Sequence, residues 1–233
     1  MEQNQPIKPS GQNQPAVPLK NETWRLALQT FINLVIATVI SVILVLSLSS
    51  LMGSVWGKLA VEAVCLAITL PMVYGYMWGQ GDRDANFVQF GRMEADPWKG
   101  LRAGALGVIP TLLTCIPLAL SMVRVIGFDF MPVYRILNAP LWGFINLIHP
   151  LGGAIPHAAT EAIPATDSMP AIDAMPATDG LSWGAFALIA VLPLLYVAFS
   201  ALGYYMGTRR ISVMSKLVYK DEKKKPGSRK RPF

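Results

Sequence analysis

The sequence predicts an all-α integral membrane protein: four transmembrane helices, both termini cytoplasmic, and an interfacial or re-entrant segment in the outer loop. Three observations predict it. Hydrophobic residues make up 53% of the 233 and charged residues only 15%, well below the roughly 25% charge of an ordinary soluble domain. Four apolar runs reach the ~20 residues that a helix needs to cross a bilayer. Seventeen of the 20 Lys and Arg residues fall on one side of the resulting map.

Residues 1–23 are rich in Gln, Asn, Pro and Gly. Such a composition has nothing to bury and predicts a disordered cytoplasmic tail. The apolar run that follows comes too late and runs too long for a signal-peptide core, so the first span is expected to act as an uncleaved anchor. Residues 24–123 hold three spans, at about Leu26–Met52, Val55–Trp78 and Leu101–Val123. The fourth occupies about Leu181–Met206 within 181–206. Pro71, Pro110, Pro117 and Pro193 lie inside these runs. Neighbouring helices can satisfy the carbonyls that proline frees, so kinks are expected there. Trp24, Trp56, Trp78, Trp98 and Trp183 fall at span ends, with Tyr74, Tyr76, Tyr204 and Tyr205. Amphipathic rings favour that headgroup depth.

Orientation follows from the basic residues. The N-tail with Arg25, the 79–100 loop with Arg102, and the 207–233 tail carry all but Lys58, Arg124 and Arg135. The positive-inside rule then puts both termini in the cytoplasm and 124–180 outside. The protein is expected in the cell membrane.

The connections are read individually. In the cytoplasmic loop 79–100, Asp82, Asp84 and Asn86 match the first positions of a calcium loop. However, Phe87 stands where glycine is needed and Met93 where glutamate is needed. Phe87, Phe90 and Met93 instead suggest a short helix on the membrane, or a docking surface for a partner. The outer segment 130–151 is apolar but interrupted by Arg135, Asn138, Pro140, Asn146 and His149. It is expected to lie at the outer face with Tyr134, Trp142 and Phe144 in the headgroups; a fifth span is the alternative. Next comes a Pro/Ala/Asp hexapeptide repeat, AIPATD, SMPAID and AMPATD at 162–179, preceded by a degenerate PHAATE. In polyproline II it would be a stiff spacer with Asp167, Asp173 and Asp179 on one face; neutral expansion is the alternative. In the basic tail 207–233, Ile211, Met214, Leu217 and Val218 have helical spacing and can extend the fourth helix. The tail either lies on anionic lipid or serves as an ordinary topogenic flank.

Candidate packing residues are glycines four apart at the cytoplasmic helix ends: Gly75 and Gly79, Gly100 and Gly104, Gly203 and Gly207. Small residues at this spacing let backbones approach closely. Asn33, in the stripe Gln29, Asn33, Ala37, Ser41, is expected to hydrogen-bond another helix. Glu62 is the one acid inside a predicted span. Lys58, one turn earlier, offers it a local ion pair.

The sequence contains no nucleophile elbow, zincin motif or phosphate loop. Cys65 and Cys115 lie in apolar runs, and His149 and His157 have no paired ligand set. No catalytic, cofactor or metal residue is assigned. The basic residues crowd membrane flanks, which favours a bilayer over nucleic acid as partner. The expected function is a non-enzymatic accessory, assembly or sensing component, with a membrane-protein partner or a second copy. The alternative is a subunit of an oligomeric transporter or channel.

Overall fold

The computed structural model describes residues 22–150, 152–156 and 179–211. Nearly all of the N-terminal tail, most of the hexapeptide repeat, and the basic tail beyond Ile211 lie outside these residues. Among the described residues the protein is all helical and contains four segments long and apolar enough to cross a membrane: Thr23–Ser47, Val55–Gln89, Lys99–Met122 and Trp183–Thr208.

The first segment is one helix, α1 (Thr23–Ser47), and the second is α2 (Val55–Gln89). The third is divided at Thr114 into α3 (Lys99–Leu113) and α4 (Cys115–Met122). Two short helices follow, α5 (Met131–Leu137) and α6 (Trp142–Ile148), joined by a 3-10 turn at Ala139–Leu141. The last segment is α7 (Trp183–Val191) and α8 (Leu194–Thr208). An even number of passes brings Glu22, the end of α2, the start of α3 and the end of α8 to one end, the basic end. The α5–α6 hairpin lies at the other.

Proline acts differently at its four positions. Helix α2 runs through Pro71 and α3 through Pro110. The third segment instead breaks three residues before Pro117, and the fourth breaks at Pro193, which becomes the N-cap of α8. A proline ring removes one helical hydrogen bond and crowds the carbonyl four residues back. At Pro193 tighter bonds take over, with Leu192 N–H donating to Ile189 and Tyr196 N–H to Pro193.

Helix α2 is longer than the sequence suggests, because 79–89 continues the helix rather than beginning a loop. At 35 residues it extends about 52 Å, some 20 Å more than a hydrocarbon core. Its extra turns are held by α8, which packs along it. An added Cβ at Gly81 would strike the Tyr204 carbonyl oxygen and come within 2.9 Å of Thr208 N.

Three helices end in the same way. After α2, Gly91 takes a left-handed φ of 66°, with Gly91 N–H donating to Val88 and Arg92 N–H to Phe87. After α4 the left-handed residue is Arg124, φ 59°, and after α8 it is Arg210, φ 54°. Each has the paired bonds of a Schellman cap. The cap at Arg210 ends α8 at Thr208; Met214, Leu217 and Val218 of the expected helical extension lie outside the described residues.

Candidate functional site

The segment 130–151 carries the least expected geometry. Its two seven-residue helices are each about 10 Å long, too short to cross a membrane. Their inner faces are buried in protein rather than in headgroups. Met131, Tyr134, Ala139, Leu141 and Ile145 are at most 1% exposed, and all but Ala139 pack with Leu34, Val73, Val108, Leu118 and Tyr196 from the long helices. Tyr134 is therefore a core residue, and Trp142 and Phe144 are half-buried against the bundle. The turn between the helices lies against both α1 and α2. Beside it Asn138 Nδ2 donates to Thr114 Oγ1 at 3.3 Å. Thr114 is about 12 Å along the helix from the segment's end at Met122. The hairpin thus reaches into the bundle.

Helix α2 holds it there. Glu62 is 2% exposed. Its Oε2 accepts from the N–H groups of Gly143, at 2.8 Å, and Phe144, at 3.3 Å. These are orphan donors of the first turn of α6. One turn away, Lys58 Nζ donates to the Asn146 carbonyl at 3.4 Å, near the other end of α6. The carboxylate therefore meets the positive end of the α6 dipole and the ammonium its negative end. The expected Glu62–Lys58 ion pair is not formed among the described residues. The hairpin's backbone offers both groups better partners than they offer each other. Gly143 makes the approach possible, because a Cβ there would lie 2.8 Å from Glu62 Oε2 and 2.7 Å from the Lys58 carbonyl oxygen.

Further bonds close the hairpin. Asp129 Oδ1 accepts from Met131 N–H at 2.9 Å and Ala154 N–H at 2.8 Å. Arg135 Nη2 donates to the carbonyls of His149 and Gly152 at 3.0 and 3.1 Å. Burial pushes the Arg135 pKa below the ordinary arginine value, opposed by the Asp129 carboxylate, yet a guanidinium stays charged under these conditions.

Glu62 Oε1, Thr69 Oγ1 and Tyr196 OH are buried and have no hydrogen-bond partner among the described residues. Tyr196 lies within electrostatic reach of both Glu62 and Cys65, and Cys65 lies beside Ser41. These groups come from α1, α2 and α8. Cys115 Sγ is 3.7 Å from Tyr134 OH. No group of three His, Cys, Asp or Glu side chains suited to a metal ion occurs among the described residues.

At the basic end a second buried polar contact joins three helices. Asp84 Oδ2 accepts from Lys99 Nζ at 2.7 Å and from Tyr204 OH at 2.8 Å. Both charged side chains are nearly buried. The glycines lie around this node. Gly100 and Gly104 of α3 face Tyr204 and Ser200 of α8, and Gly203 and Gly207 of α8 face Tyr74 and Trp78 of α2. Gly75 and Gly79 differ, since a Cβ on either meets nothing within 4 Å. On α2 the close approach falls to Gly81. A helix turns about 100° per residue, so Gly79 and Gly81 lie on opposite faces. Gly107, not singled out by spacing, abuts Ala27 and Thr30 of α1.

Asn33 also differs from expectation. Its Oδ1 faces Gln29 Nε2 of its own helix at 3.5 Å, because that stretch of the stripe is only half-buried, whereas Ala37 and Ser41 below it are buried. Sequence reasoning missed Gly143, Asp84 and Lys99. An acidic residue and a lysine in a polar stretch give no sign of a shared burial.

Comparison with protein-family models, with curated proteins and with solved structures finds no match to this chain.

Proposed function

We propose that this chain is a non-enzymatic, multi-pass cell-membrane protein that serves as an accessory, assembly or sensing component. Both termini would be cytoplasmic, and the α5–α6 hairpin would be a re-entrant segment of the outer face. The observation that carries this reading is the hairpin itself. It packs into the bundle at the end opposite the basic residues, and Glu62 and Lys58 fasten it there. At the opposite end α2 continues well past the length needed to cross a bilayer and presents exposed Phe90 beside Arg92. That end is the proposed partner surface, for a membrane-protein partner or a second copy.

The test uses the full chain. A photo-crosslinking residue at Phe90 should capture one defined protein in intact cells, and the same residue at Trp56, on the opposite end, should not. The purified protein in liposomes should leave ion and solute permeability unchanged. Flux that disappears in Glu62→Leu would favour the transporter reading. The buried, unpartnered oxygens of Glu62, Thr69 and Tyr196 are the specific observation that supports it.

A further inference from the structure

A cleft of about 360 Å³ opens at the basic end, lined on α1 by Arg25 and Gln29, on α2 by Tyr76, Gln80 and Arg83, and bordered by Lys99 at the start of α3. From this geometry we infer a binding site for the phosphate of an anionic phospholipid headgroup, clasped between Arg25 and Arg83.

The charges favour an anion. Glu22 and Asp84 also line the cleft, but both are engaged. Asp84 is neutralised by Lys99 in the buried pair described above. Glu22 holds Arg25 at 3.2 Å in an exposed pair, which a competing phosphate can displace because exposed pairs contribute little. Arg83 is exposed and has no hydrogen bond or ion pair among the described residues. Both arginines line this one cleft, from α1 and α2 respectively. A planar guanidinium fork matches two phosphate oxygens. The Gln29 and Gln80 carboxamides and the Tyr76 hydroxyl make the rest of the lining polar without adding charge.

The position favours a lipid over free phosphate. Trp24 and Trp98, 71% and 65% exposed, flank this end of the bundle, at the depth where indoles meet headgroups. Following the face of α1 that carries Arg25 and Gln29, the next residues are Ile32 and Ile36, both exposed. Four- and three-residue steps keep them on one face. A polar cleft therefore leads directly onto an apolar track, as a headgroup leads onto its acyl chain. The cleft is lined without any residue beyond Ile211.

The experiment measures binding of short-chain phosphatidylglycerol to the purified full-length protein by the rise in its unfolding temperature, with short-chain phosphatidylcholine and inorganic phosphate in parallel. Phosphatidylglycerol should bind measurably tighter than either. Arg83→Gln should weaken it about tenfold, the loss of one charge-assisted contact. Arg83→Lys should retain part of the affinity. Arg92→Gln, at the same end but outside the cleft, should leave it unchanged. Gel filtration checks that each variant remains monodisperse, and Arg83, being exposed and unpaired, is not needed for folding. Equal weakening by Arg83→Gln and Arg92→Gln would show diffuse attraction to a basic surface and overturn the site. Equal binding of phosphatidylcholine would overturn its charge selectivity, and equal binding of inorganic phosphate would overturn the lipid assignment.

Discussion

The Glu62 carboxylate lies 2.8 Å from the backbone nitrogen of Gly143, 81 residues later in the chain, and so fixes a short helix of the hairpin to a long helix of the bundle. The relationship needs both residues. The acid supplies an acceptor to an N–H that has no helical partner, and the glycine supplies the space. Replacing Gly143 by Ala should lower stability by ~1–3 kcal/mol, since a close-packed interface must separate around one methyl group. Glu62→Leu should cost a similar ~1–3 kcal/mol by leaving one buried and one half-buried donor unpaired, and Glu62→Gln less, because its carbonyl oxygen still accepts. Thermal unfolding in one detergent measures all three. An undisturbed midpoint in Gly143→Ala would count against the pinned hairpin.

Asp84 and Lys99 form a pair removed from water, and breaking it on one side should be more harmful than removing it entirely. Asp84→Asn and Lys99→Met should each destabilise by about 3–5 kcal/mol, and the double variant by less than their sum. Chemical denaturation of the four proteins closes the cycle. Additive losses would mean that the two charges do not act on each other.

The glycines should separate into two groups. Gly104→Leu and Gly203→Leu place a side chain where a Cβ already meets Ser200 at 2.6 Å or Tyr74 at 2.6 Å. Gly75, Gly79 and Gly184 face open space. The first two substitutions should lower the detergent unfolding temperature clearly more than Gly79→Leu or Gly184→Leu. Equal losses at all positions would remove close packing as the reason for these glycines.

Arg124 and Arg210 both adopt a left-handed backbone that favours glycine, by roughly 1 kcal/mol over an ordinary L residue. Arg124→Gly should therefore stabilise the protein by about that amount. Arg210→Gly should not, because Arg210 Nη2 also donates to Asn86 Oδ1 and Gln89 Oε1. The substitution exchanges that contact between α8 and α2 for relief of the backbone. Unfolding midpoints of the two variants, compared with the parent, test the contrast. A gain in Arg210→Gly equal to that in Arg124→Gly would show that the contact contributes nothing.

The proposed orientation has its own test. In a background without Cys65 and Cys115, a cysteine at Ser228 should resist a membrane-impermeant thiol reagent in sealed cells and react after permeabilisation. Labelling from outside would reverse the orientation or require an odd number of crossings.

The four long helical segments were legible from the sequence because crossing a bilayer demands a local property, a continuous apolar run with its backbone satisfied internally. The same runs located Trp24, Trp56, Trp98 and Trp183 at the helix ends, where all four are exposed. Two of the three glycine pairs, Gly100 with Gly104 and Gly203 with Gly207, do face neighbouring helices, because a recurrence of four marks one helical face whatever lies opposite. Other features depend on what lies opposite, and the tertiary structure decided those. Helix α2 continues to Gln89 because α8 and Lys99 are there to hold it. Lys58 and Glu62, adjacent on one helix, part to opposite ends of α6 because backbone groups from a distant segment reach them first. Hydropathy records how much apolar surface a segment has, but not which neighbour will cover it. The segment 130–151, apolar but interrupted by Arg135, Asn138 and Pro140, therefore shows the burial of its helices only once the bundle has assembled around it.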